Sequence, residues 1–501
     1  MKPKLTNVLR RPLMNFPYFG DWFWETYRVD PAGLVAHFDM TRGRGGDAQT
    51  WPDRHNGKDF EQTAPGNQTA ITEAAGRKCR VFDGSDFMVQ EVVAAHTGLT
   101  STDSRCSFGT DQSWLCWDGI DLSAYASEDG IYEVIVEDAA GKRAKGYLKA
   151  AGPGLALGSE LMVNGNMESG DPPSSWTALN GATLASVADE RTGGAGSAAL
   201  DSLYGVSSDT LRQTVSGQTI GTLYYTSWWM KNIDATQATG YWNTGGTQLS
   251  QSQVDTIWAE FSGYFNAETV DLDFYGRSTP GAHTRFDDVS LRKVTDCPAT
   301  GVHITTTPGG TTENWTTVET GFAHKDIVSI KIYKTGFNIT GDISGFVVAR
   351  MDDGVTPGSG HGMLARWDSF NARSCYLFCI STTGTLRFYA DDDGADITNY
   401  EDSDAAVVPN GQTNWFIAGF SYDASTQTVV LYFNGLPVAS TTNGAFPAAI
   451  YDGPIAAEIG SLNEGSAWLW DGEQATLALF SRVLSAEEQA NFARSFNLYS
   501  K

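Results

Sequence analysis

The stretch NWFIAGFSYDASTQTVVLYFNGLPVAS, residues 414–440, carries the strongest local signal of fold in the sequence. Two runs rich in β-branched and aromatic residues flank the polar segment DASTQ, residues 423–427. This arrangement predicts a β-hairpin. The Asn-Gly pair at 434 and 435 predicts a second tight turn directly after it. The C-terminal part of the chain is therefore expected to contain antiparallel strands.

A strand and then a short helix are predicted in ATLALFSRVLSAEEQANFARSF, residues 475–496. Ser485 and Glu488 have the spacing of a capping box, with Ser485 as the N-cap and Glu488 at the third helical position. Together with NITGDISGFVVARMD (338–352), LYFNGLPV (431–438) and IGSLN (459–463), these segments resemble the laminin-G/concanavalin-A-like jelly-roll sandwich. The resemblance covers residues 320–500 and implies a sandwich domain, which we place at 300–501.

The middle of the chain resembles the galactose-binding-like jelly rolls that occur as carbohydrate-binding modules. The segments that carry this resemblance are ELMVNGNMESG (160–170), YYTSWWMKN (224–232), WAEFSGYF (258–265) and FDDVSL (286–291). Breaks of linker composition lie on either side, at AAGPGLALG (150–158) and TDCPATG (295–301). We therefore predict a carbohydrate-binding jelly roll over residues 159–295.

The region before it, residues 31–152, contains two different kinds of segment. GLVAHFDMTRG, TWPDRHNGKDF and RVFDGSDFMV, within residues 33–89, resemble the opening third of another concanavalin-A-like domain. Residues 118–150 resemble the small β units that precede binding modules in bacteriophage fibre and tail proteins. Two interpretations of residues 33–90 are open: a separate, degenerate domain, which we prefer, or a piece that completes the C-terminal sandwich.

Composition agrees with an all-β, multi-domain chain of tandem jelly-roll sandwiches. Of the 501 residues, 41% are hydrophobic, 12% are aromatic and 54 are glycine, a mixture typical of short strands joined by many turns. No apolar run is long enough to cross a membrane, so membrane insertion is not expected. The net charge of −25 excludes electrostatic binding of nucleic acid. The six cysteines match no zinc-binding spacing, and without a signal peptide we expect reduced thiols.

The chain begins with MKPKLTNVLRRP, which holds four basic residues and no acidic ones. No apolar core or cleavage site follows, so this is not the pattern of a signal peptide. Aromatic residues are dense in the next stretch, LMNFPYFGDWFWETY. We interpret residues 1–30 as a basic, aromatic docking arm.

Two adjacent carboxylates, Asp287 and Asp288, stand in the closing strand of the jelly roll. Successive strand side chains point to opposite faces, so the pair cannot act together as acid and base on one bond. The parity of Val289 predicts Asp287 inward and Asp288 outward. The resemblance implies a structural calcium ion held by Glu168 with Asp287 or Asp288. The preferred alternative is that Asp287 accepts hydrogen bonds from the backbone.

Aromatic side chains in the same module are candidates for sugar binding. Alternation along YYTSWWMKN places Tyr224 and Trp228 on one face and Tyr225, Trp229 and Lys231 on the other. The resemblance assigns the first face to the core, so Tyr225, Trp229 and Lys231 are predicted to form a sugar platform. The alternative is that a neighbouring loop or subunit covers them. Trp242, in a Gly/Thr-rich segment, is a further candidate.

Enzymatic motifs are absent from the sequence: there is no Gly-x-Ser-x-Gly, no His-Glu-x-x-His and no Glu-x-Asp-x-Glu strand. We therefore expect a protein without enzymatic activity. Sugar-binding modules without a secretion signal, together with the resemblance of residues 118–150 to phage fibre units, imply a virion protein of a bacteriophage: a fibre, spike or decoration subunit. It would dock on other virion proteins through residues 1–30, bind host-surface glycans and form homo-oligomers, trimers by analogy. The alternatives are a secreted or cell-surface carbohydrate-binding protein and a polysaccharide hydrolase with an unrecognised site.

Overall fold

The computed structural model describes residues 29–39, 50–51, 60–61, 70–74, 77–83, 85, 87–99, 104–108, 113–117, 120–125, 131–149, 155–189, 199–203, 209–279, 282–297, 301–352, 360–395, 398–411 and 413–496. The chain divides into two compact units. We name them the terminal unit, Met1–Val92 with Lys334–Lys501, and the central unit, Val93–Tyr333.

Strands dominate the described residues, in agreement with the all-β prediction. The first are β1 Leu34–Asp39, β2 Thr50–Trp51, β3 Phe60–Glu61, β4 Ala70–Ala74, β5 Arg77–Asp83, β6 Met88–Gln90, β7 Val92–Thr97, β8 Ser104–Phe108, β9 Ser113–Trp117, β10 Tyr132–Asp138 and β11 Arg143–Lys149. Next come β12 Ala156–Glu160, β13 Thr177–Ala178, β14 Thr183–Val187, β15 Ala199–Leu203, β16 Asp209–Val215, β17 Leu223–Asn232, β18 Ala238–Asn243, β19 Thr247–Gln253, β20 Ala259–Asn266, β21 Leu272–Arg277 and β22 His283–Asp296. The last are β23 Val302–Thr305, β24 Thr317–Val318, β25 Ile327–Lys334, β26 Ile343–Met351, β27 His361–Arg366, β28 Tyr376–Ile380, β29 Leu386–Ala390, β30 Tyr400–Ser403, β31 Phe416–Asp423, β32 Thr428–Phe433, β33 Leu436–Pro437, β34 Ser440–Asn443, β35 Glu458–Ile459 and β36 Asp471–Phe480, followed by helix α1, Ala486–Ser495.

The terminal unit is a sandwich of two antiparallel sheets. One has the order β33-β32-β31-β26-β36-β5-β4, with β1 also on β36, and the other has the order β2-β3-β6-β35-β27-β28-β29-β30-β34. Side chains from both sheets share one apolar core. Across it, Phe420 of the first sheet packs against Phe378 and Phe388 of the second, with ring centroids 4.7 and 4.5 Å apart. This is the face-to-face packing of two sheets that defines a β-sandwich.

Strands β1–β6, from the beginning of the chain, complete this sandwich. Strand β1 pairs with β36 at Phe38↔Leu477, β5 pairs with the same strand at Phe82↔Gly472, and β6 pairs with β35 at Val89↔Glu458. This pairing contradicts the preferred interpretation of residues 33–90 as a separate domain. The physical reason is that β36 is buried almost throughout, and without β1 and β5 one of its edges would leave backbone groups unpaired.

The local predictions for the C-terminal segment are confirmed. Strands β31 and β32 form the hairpin, and Asn434 and Gly435 have φ of 51° and 79°, as a two-residue hairpin turn requires. Helix α1 begins with the predicted capping box of Ser485 and Glu488. Its buried face packs in an apolar cluster that also contains Val29. The rest of the predicted docking arm, residues 1–28, lies outside the described residues.

The central unit contains an eight-stranded sheet with the order β7-β25-β10-β11-β23-β9-β8, with β24 also on β11. We call it the small sheet, after the small β unit predicted at residues 118–150. Its core includes Val134, Leu148, Ile304 and Ile330. Strands β23–β25, residues 302–334, therefore belong to this sheet and not to the C-terminal sandwich that we predicted to begin at 300. The predicted small β unit is correspondingly larger than residues 118–150.

The rest of the central unit is a jelly-roll-type sandwich over β12–β22. One sheet has the order β14-β15-β22-β17-β20, with β12 on β22, and the other has the order β13-β16-β21-β18-β19. Trp228 and Phe286 from the first sheet meet Trp242 and Phe274 from the second in a single core. The prediction of a multi-domain chain built of β-sandwiches is confirmed. Strand β17 lies between β22 and β20, so it is central to the sheet that carries the site described next.

Candidate functional site

Strand β17 has one buried face and one half-buried face. From Tyr224 onward every second residue is buried: Tyr224, Thr226, Trp228 and Met230. The residues between them are half-buried: Tyr225, Ser227, Trp229 and Lys231. The predicted division of faces is therefore confirmed. We call the second set the outer face of β17.

A β-bulge in β22 shapes the surface beside this outer face. Ser227 pairs with Ser290 and Trp229 pairs with Asp287, so two residues of β22, Asp288 and Val289, stand opposite a single residue of β17. Asp288 has a φ of 45°, a conformation that asparagine and aspartate tolerate better than most residues. The bulge changes the parity of β22. Asp287 is buried, at 2% exposure, and Asp288 is half-buried.

The bulge is held by a glycine in the loop after β12. The N–H of Val289 donates to the carbonyl of Gly165 over 2.9 Å. A Cβ atom on Gly165 would lie 2.0 Å from the carbonyl oxygen of Val289, so only glycine permits this approach. The Asn-Gly pair in ELMVNGNMESG thus positions the loop against β22.

Glu160 ties the same loop to β22 from the other side. Its carboxylate accepts hydrogen bonds from the N–H groups of Leu161, Met162 and Leu291 over 2.9–3.0 Å. It also accepts from the hydroxyl of Ser290 over 2.5 Å. Hydrogen bonds to a carboxylate are stronger than those between neutral groups, so Glu160 anchors the loop firmly to β22.

A cavity of about 450 Å³ lies between this loop and the outer face of β17. Its size is within the range of small-molecule binding sites. It brings together Tyr225 and Trp229, both predicted, and the predicted metal residue Asp288. It adds polar residues that the sequence analysis did not select: Asn166, Ser227, Glu260, Ser290 and Arg292.

The cavity combines a flat aromatic surface with both acidic and basic side chains. Trp229 pairs across the sheet with Glu260, and Tyr225 pairs with Arg292 on the other side. The charged residues of the lining are Glu160, Glu260, Asp288 and Arg292, which is three carboxylates against one guanidinium, a formal charge of −2. Nε of Arg292 lies 3.3 Å from Oε2 of Glu160, so the one guanidinium of the lining faces a carboxylate.

Tyr225 also has a packing role. Its ring contacts that of Tyr264 at a centroid distance of 5.1 Å, and both rings pack against a buried cluster that includes Trp114 and Leu223. The predicted alternative, that neighbouring residues cover the aromatic side chains, therefore applies in part to Tyr225. Trp229 forms the part of the aromatic surface that faces the cavity without belonging to that cluster.

Lys231 lies on the outer face but does not line the cavity. Its Nζ is 2.9 Å from a carboxylate oxygen of Asp189, which also pairs with Arg285. Burial raises the pKa of Asp189, but the hydrogen bonds from Lys231 and Arg285 outweigh it and lower the pKa below its ordinary value. The ion pair thus occupies the ammonium group of Lys231, which was predicted to be part of the sugar platform.

Trp242 is a core residue, contrary to the prediction that it presents itself to sugar. It is 0% exposed, and its Nε1–H donates to Oγ1 of Thr226 over 2.8 Å. Its ring stacks on Phe265 at 5.4 Å. Trp242 belongs to β18, and the Gly/Thr-rich turn begins after it, which is why the sequence around it suggested a loop.

The calcium ion that the resemblance implies stays a prediction. Glu168 is exposed and Asp287 is buried, and among the described residues they do not form a group of ligand atoms with Asp288. Oδ1 of Asp287 instead accepts a hydrogen bond from the N–H of Asp288 over 2.8 Å. This is the backbone role that we gave as the alternative, and the bulge is its cause.

One acid of the terminal unit also has an unusual environment. Glu458 is buried, and burial raises its pKa to about 7, although three donors stabilise the charged form. These donors are the hydroxyl of Ser461 at 2.6 Å and the N–H groups of Glu464 and Gly465 at 2.7 and 2.9 Å. Glu458 therefore organises the turn that follows β35.

No helix within the described ranges is both long and apolar enough to span a bilayer. No family model and no curated protein matches the sequence.

Several solved structures resemble part of the chain. One is the CBM40 of the Ruminococcus gnavus IT-sialidase bound to alpha2,6 sialyllactose, with 13% identity over 31% of this chain and 85% of that chain, at a TM-score of 0.27. Another is the heptameric SAP-like pentraxin from Limulus polyphemus, with 13% identity over 31% and 70% of the two chains, at 0.24. A third is the CBM22-1 xylan-binding domain from Paenibacillus barcinonensis, with 19% identity over 27% and 96%, at 0.23. At these TM-scores the resemblances add nothing to the fold described above.

Proposed function

We propose that the protein is a carbohydrate-binding protein and that the cavity on the outer face of β17 is its sugar site. The observation that carries this proposal is the position of Trp229 beside Glu260 and Asp288 in a cavity of about 450 Å³. A sugar ring presents an apolar C–H face, which packs on a flat aromatic ring, and hydroxyl groups at its edge. Carboxylate, amide and guanidinium groups at the edge of the aromatic surface then fix the orientation of those hydroxyls.

The charge of the cavity favours a neutral glycan. When ionised, the carboxylates of Glu260 and Asp288 can only accept hydrogen bonds. They therefore suit sugar hydroxyls, which donate them. A sialic or uronic acid would bring a third carboxylate close to them, and like charges at such separations repel. The single guanidinium, Arg292, already faces Glu160.

We infer that the site binds sugar without cleaving it. The sequence holds no Glu-x-Asp-x-Glu strand, and Glu260 and Asp288 stand on different strands, β20 and β22, with β17 between them. The third acid, Glu160, is held by the hydrogen bonds that anchor the loop.

The test is a binding screen of the full chain against immobilised neutral and acidic glycans, followed by titration of the best ligand. For Trp229→Ala we expect an affinity at least 10-fold lower, because an aromatic anchor is removed. The matched control is Trp258→Ala, since Trp258 is half-buried near the same sheet but does not line the cavity.

Three results would contradict the proposal. They are binding only to acidic glycans, an equal loss of affinity in both variants, and release of reducing sugar from a bound polysaccharide by the wild-type chain. The last result would support the hydrolase alternative, and Glu260→Gln and Asp288→Asn would then locate the acids.

We further propose that the protein is a bacteriophage virion subunit, a fibre, spike or decoration protein that displays this site to host-surface glycans. The resemblance of residues 118–150 to units of phage fibre proteins, and the basic, aromatic composition of residues 1–30, support this setting. A trimer is the assembly that the analogy favours. Immunogold electron microscopy with antibody against residues 159–501 tests it: label at a fixed place on particles is expected. Label on cell surfaces alone would favour the secreted or cell-surface alternative.

A further inference from the structure

A group of metal-ligating side chains lies where the jelly roll joins the small sheet of the central unit. Asp296 ends β22, Cys297 follows it and His303 is in β23. One ligand atom from each residue lies within 4.8 Å of the others. Ligand atoms of a tetrahedral zinc ion are about 3.5 Å apart, given metal–nitrogen and metal–sulfur bonds of about 2.0 and 2.3 Å. The side chains therefore need to move only slightly to surround an ion.

The two nitrogens of His303 face different carboxylates. Nε2 is 3.2 Å from Oδ1 of Asp296, and Nδ1 is 3.2 Å from Oε2 of Glu313. Glu313 is held near by a β-bridge to Thr305, in the same strand as His303. A histidine that binds a metal through one nitrogen usually directs the other toward a carboxylate, which sets the ring orientation. Glu313 occupies that orienting position.

The Cys297 thiol distinguishes this group from a simple ion pair. A protonated His303 between Asp296 and Glu313 would need no sulfur beside it. Cys297 is fully buried and packs with Trp114, Cys116 and Val294, so its sulfur lies at the inner side of the group. A nitrogen, a sulfur and a carboxylate oxygen together are ligands that zinc accepts, whereas calcium and magnesium prefer oxygen alone.

We propose that Asp296, Cys297 and His303 bind a divalent transition-metal ion of the zinc type, with Glu313 as the residue that positions His303. The ion would join β22 of the jelly roll to β23 of the small sheet. The five residues between Cys297 and His303 match no common zinc-binding spacing, because the strand arrangement, not the local sequence, brings the ligands together.

The test uses the full chain, freed of metal with a chelator and titrated with Co²⁺. Binding releases the thiol proton, and the resulting thiolate–cobalt bond gives a charge-transfer absorption band in the near ultraviolet. We expect one equivalent of Co²⁺ to produce the band and Zn²⁺ to displace it. Absence of the band in the folded wild-type chain would overturn the proposal without any variant.

Variants then assign the ligands. Cys297→Ser should abolish the band, and His303→Ala should weaken binding at least 10-fold. Glu313→Gln should keep the band but weaken binding about 10- to 100-fold, as removal of an orienting partner does in other metal sites. Cys379→Ser, a buried cysteine of the terminal unit, is the matched control and should bind as the wild type does. A band that persists in Cys297→Ser would place the cobalt site elsewhere and refute the assignment.

Discussion

The two faces of β17 carry similar residues and have different roles. The inner face has Tyr224 and Trp228, both buried, and the outer face has Tyr225 and Trp229, both half-buried. Tyr224 is followed directly by Tyr225, and Trp228 is followed directly by Trp229. The role of a tyrosine or tryptophan in this module is therefore set by strand parity and by what packs on each face, not by residue type. Adjacent substitutions along β17 test this directly.

The largest difference is expected between Trp228→Ala and Trp229→Ala. Trp228 is 0% exposed, and its ring packs on those of Phe261 and Phe274 at centroid distances of 6.0 and 5.5 Å. A Cβ atom at position 240 would lie 2.5 Å from Nε1 of Trp228, so the close packing of this ring requires Gly240. Truncation of such a ring leaves a cavity, so we expect a loss of about 3–5 kcal/mol in the free energy of unfolding. Trp229→Ala should cost about 1 kcal/mol or less.

Urea unfolding of the full chain measures both changes, on the transition that reports the central unit. Equal losses from the two variants would mean that Trp229 is part of the core and that the outer face is not a binding surface. A small loss from both would mean that the core does not depend on Trp228.

A smaller difference is expected between Thr226→Val and Ser227→Ala. The Thr226 hydroxyl donates to the carbonyl of Ser290 over 2.7 Å and accepts from Nε1–H of Trp242 over 2.8 Å. Valine has nearly the same shape but leaves the buried Trp242 N–H without an acceptor, which costs about 1–3 kcal/mol. Ser227→Ala, on the outer face, should change stability by no more than about 0.5 kcal/mol. Thermal unfolding of the two variants side by side measures the difference, and equal effects would argue against a buried hydrogen bond.

Strand parity made the faces of β17 predictable from the sequence, because eight residues alternate without interruption. The bulge in β22 was not predictable in this way. It depends on the approach of Gly165, a residue more than a hundred positions earlier in the chain, to the carbonyl of Val289. Asp287 is buried and Asp288 is half-buried, as predicted, but the sequence could not show that the bulge pairs Asp287 with Trp229 of the outer face.

Non-local register accounts for the other differences. Glu260 and Arg292 enter the cavity because β20 and β22 pair with β17 at particular residues, and a strand pattern alone does not fix that register. The C-terminal sandwich takes β1 and β5 from the start of the chain for the same reason. Hairpins and the α1 cap, by contrast, depend on neighbouring residues and were predicted correctly.

The smallest effect is expected at Lys231, which lies on the outer face but outside the cavity. The folded-state pKa of Asp189 is lowered, so its pairing with Lys231 and Arg285 stabilises the fold above the ordinary pKa of aspartate, 3.8, and this stabilisation is lost as the pH falls through the lowered value. Lys231→Met should therefore cost at most about 1 kcal/mol at pH 7 and less at pH 3. Glycan affinity should not change. Urea unfolding at pH 7 and pH 3 measures the change in stability. Titration of the variant with the glycan that binds the wild-type protein measures the affinity. A 10-fold loss of affinity in Lys231→Met would extend the binding surface along the whole outer face of β17, and only the inner face would then have a purely structural role.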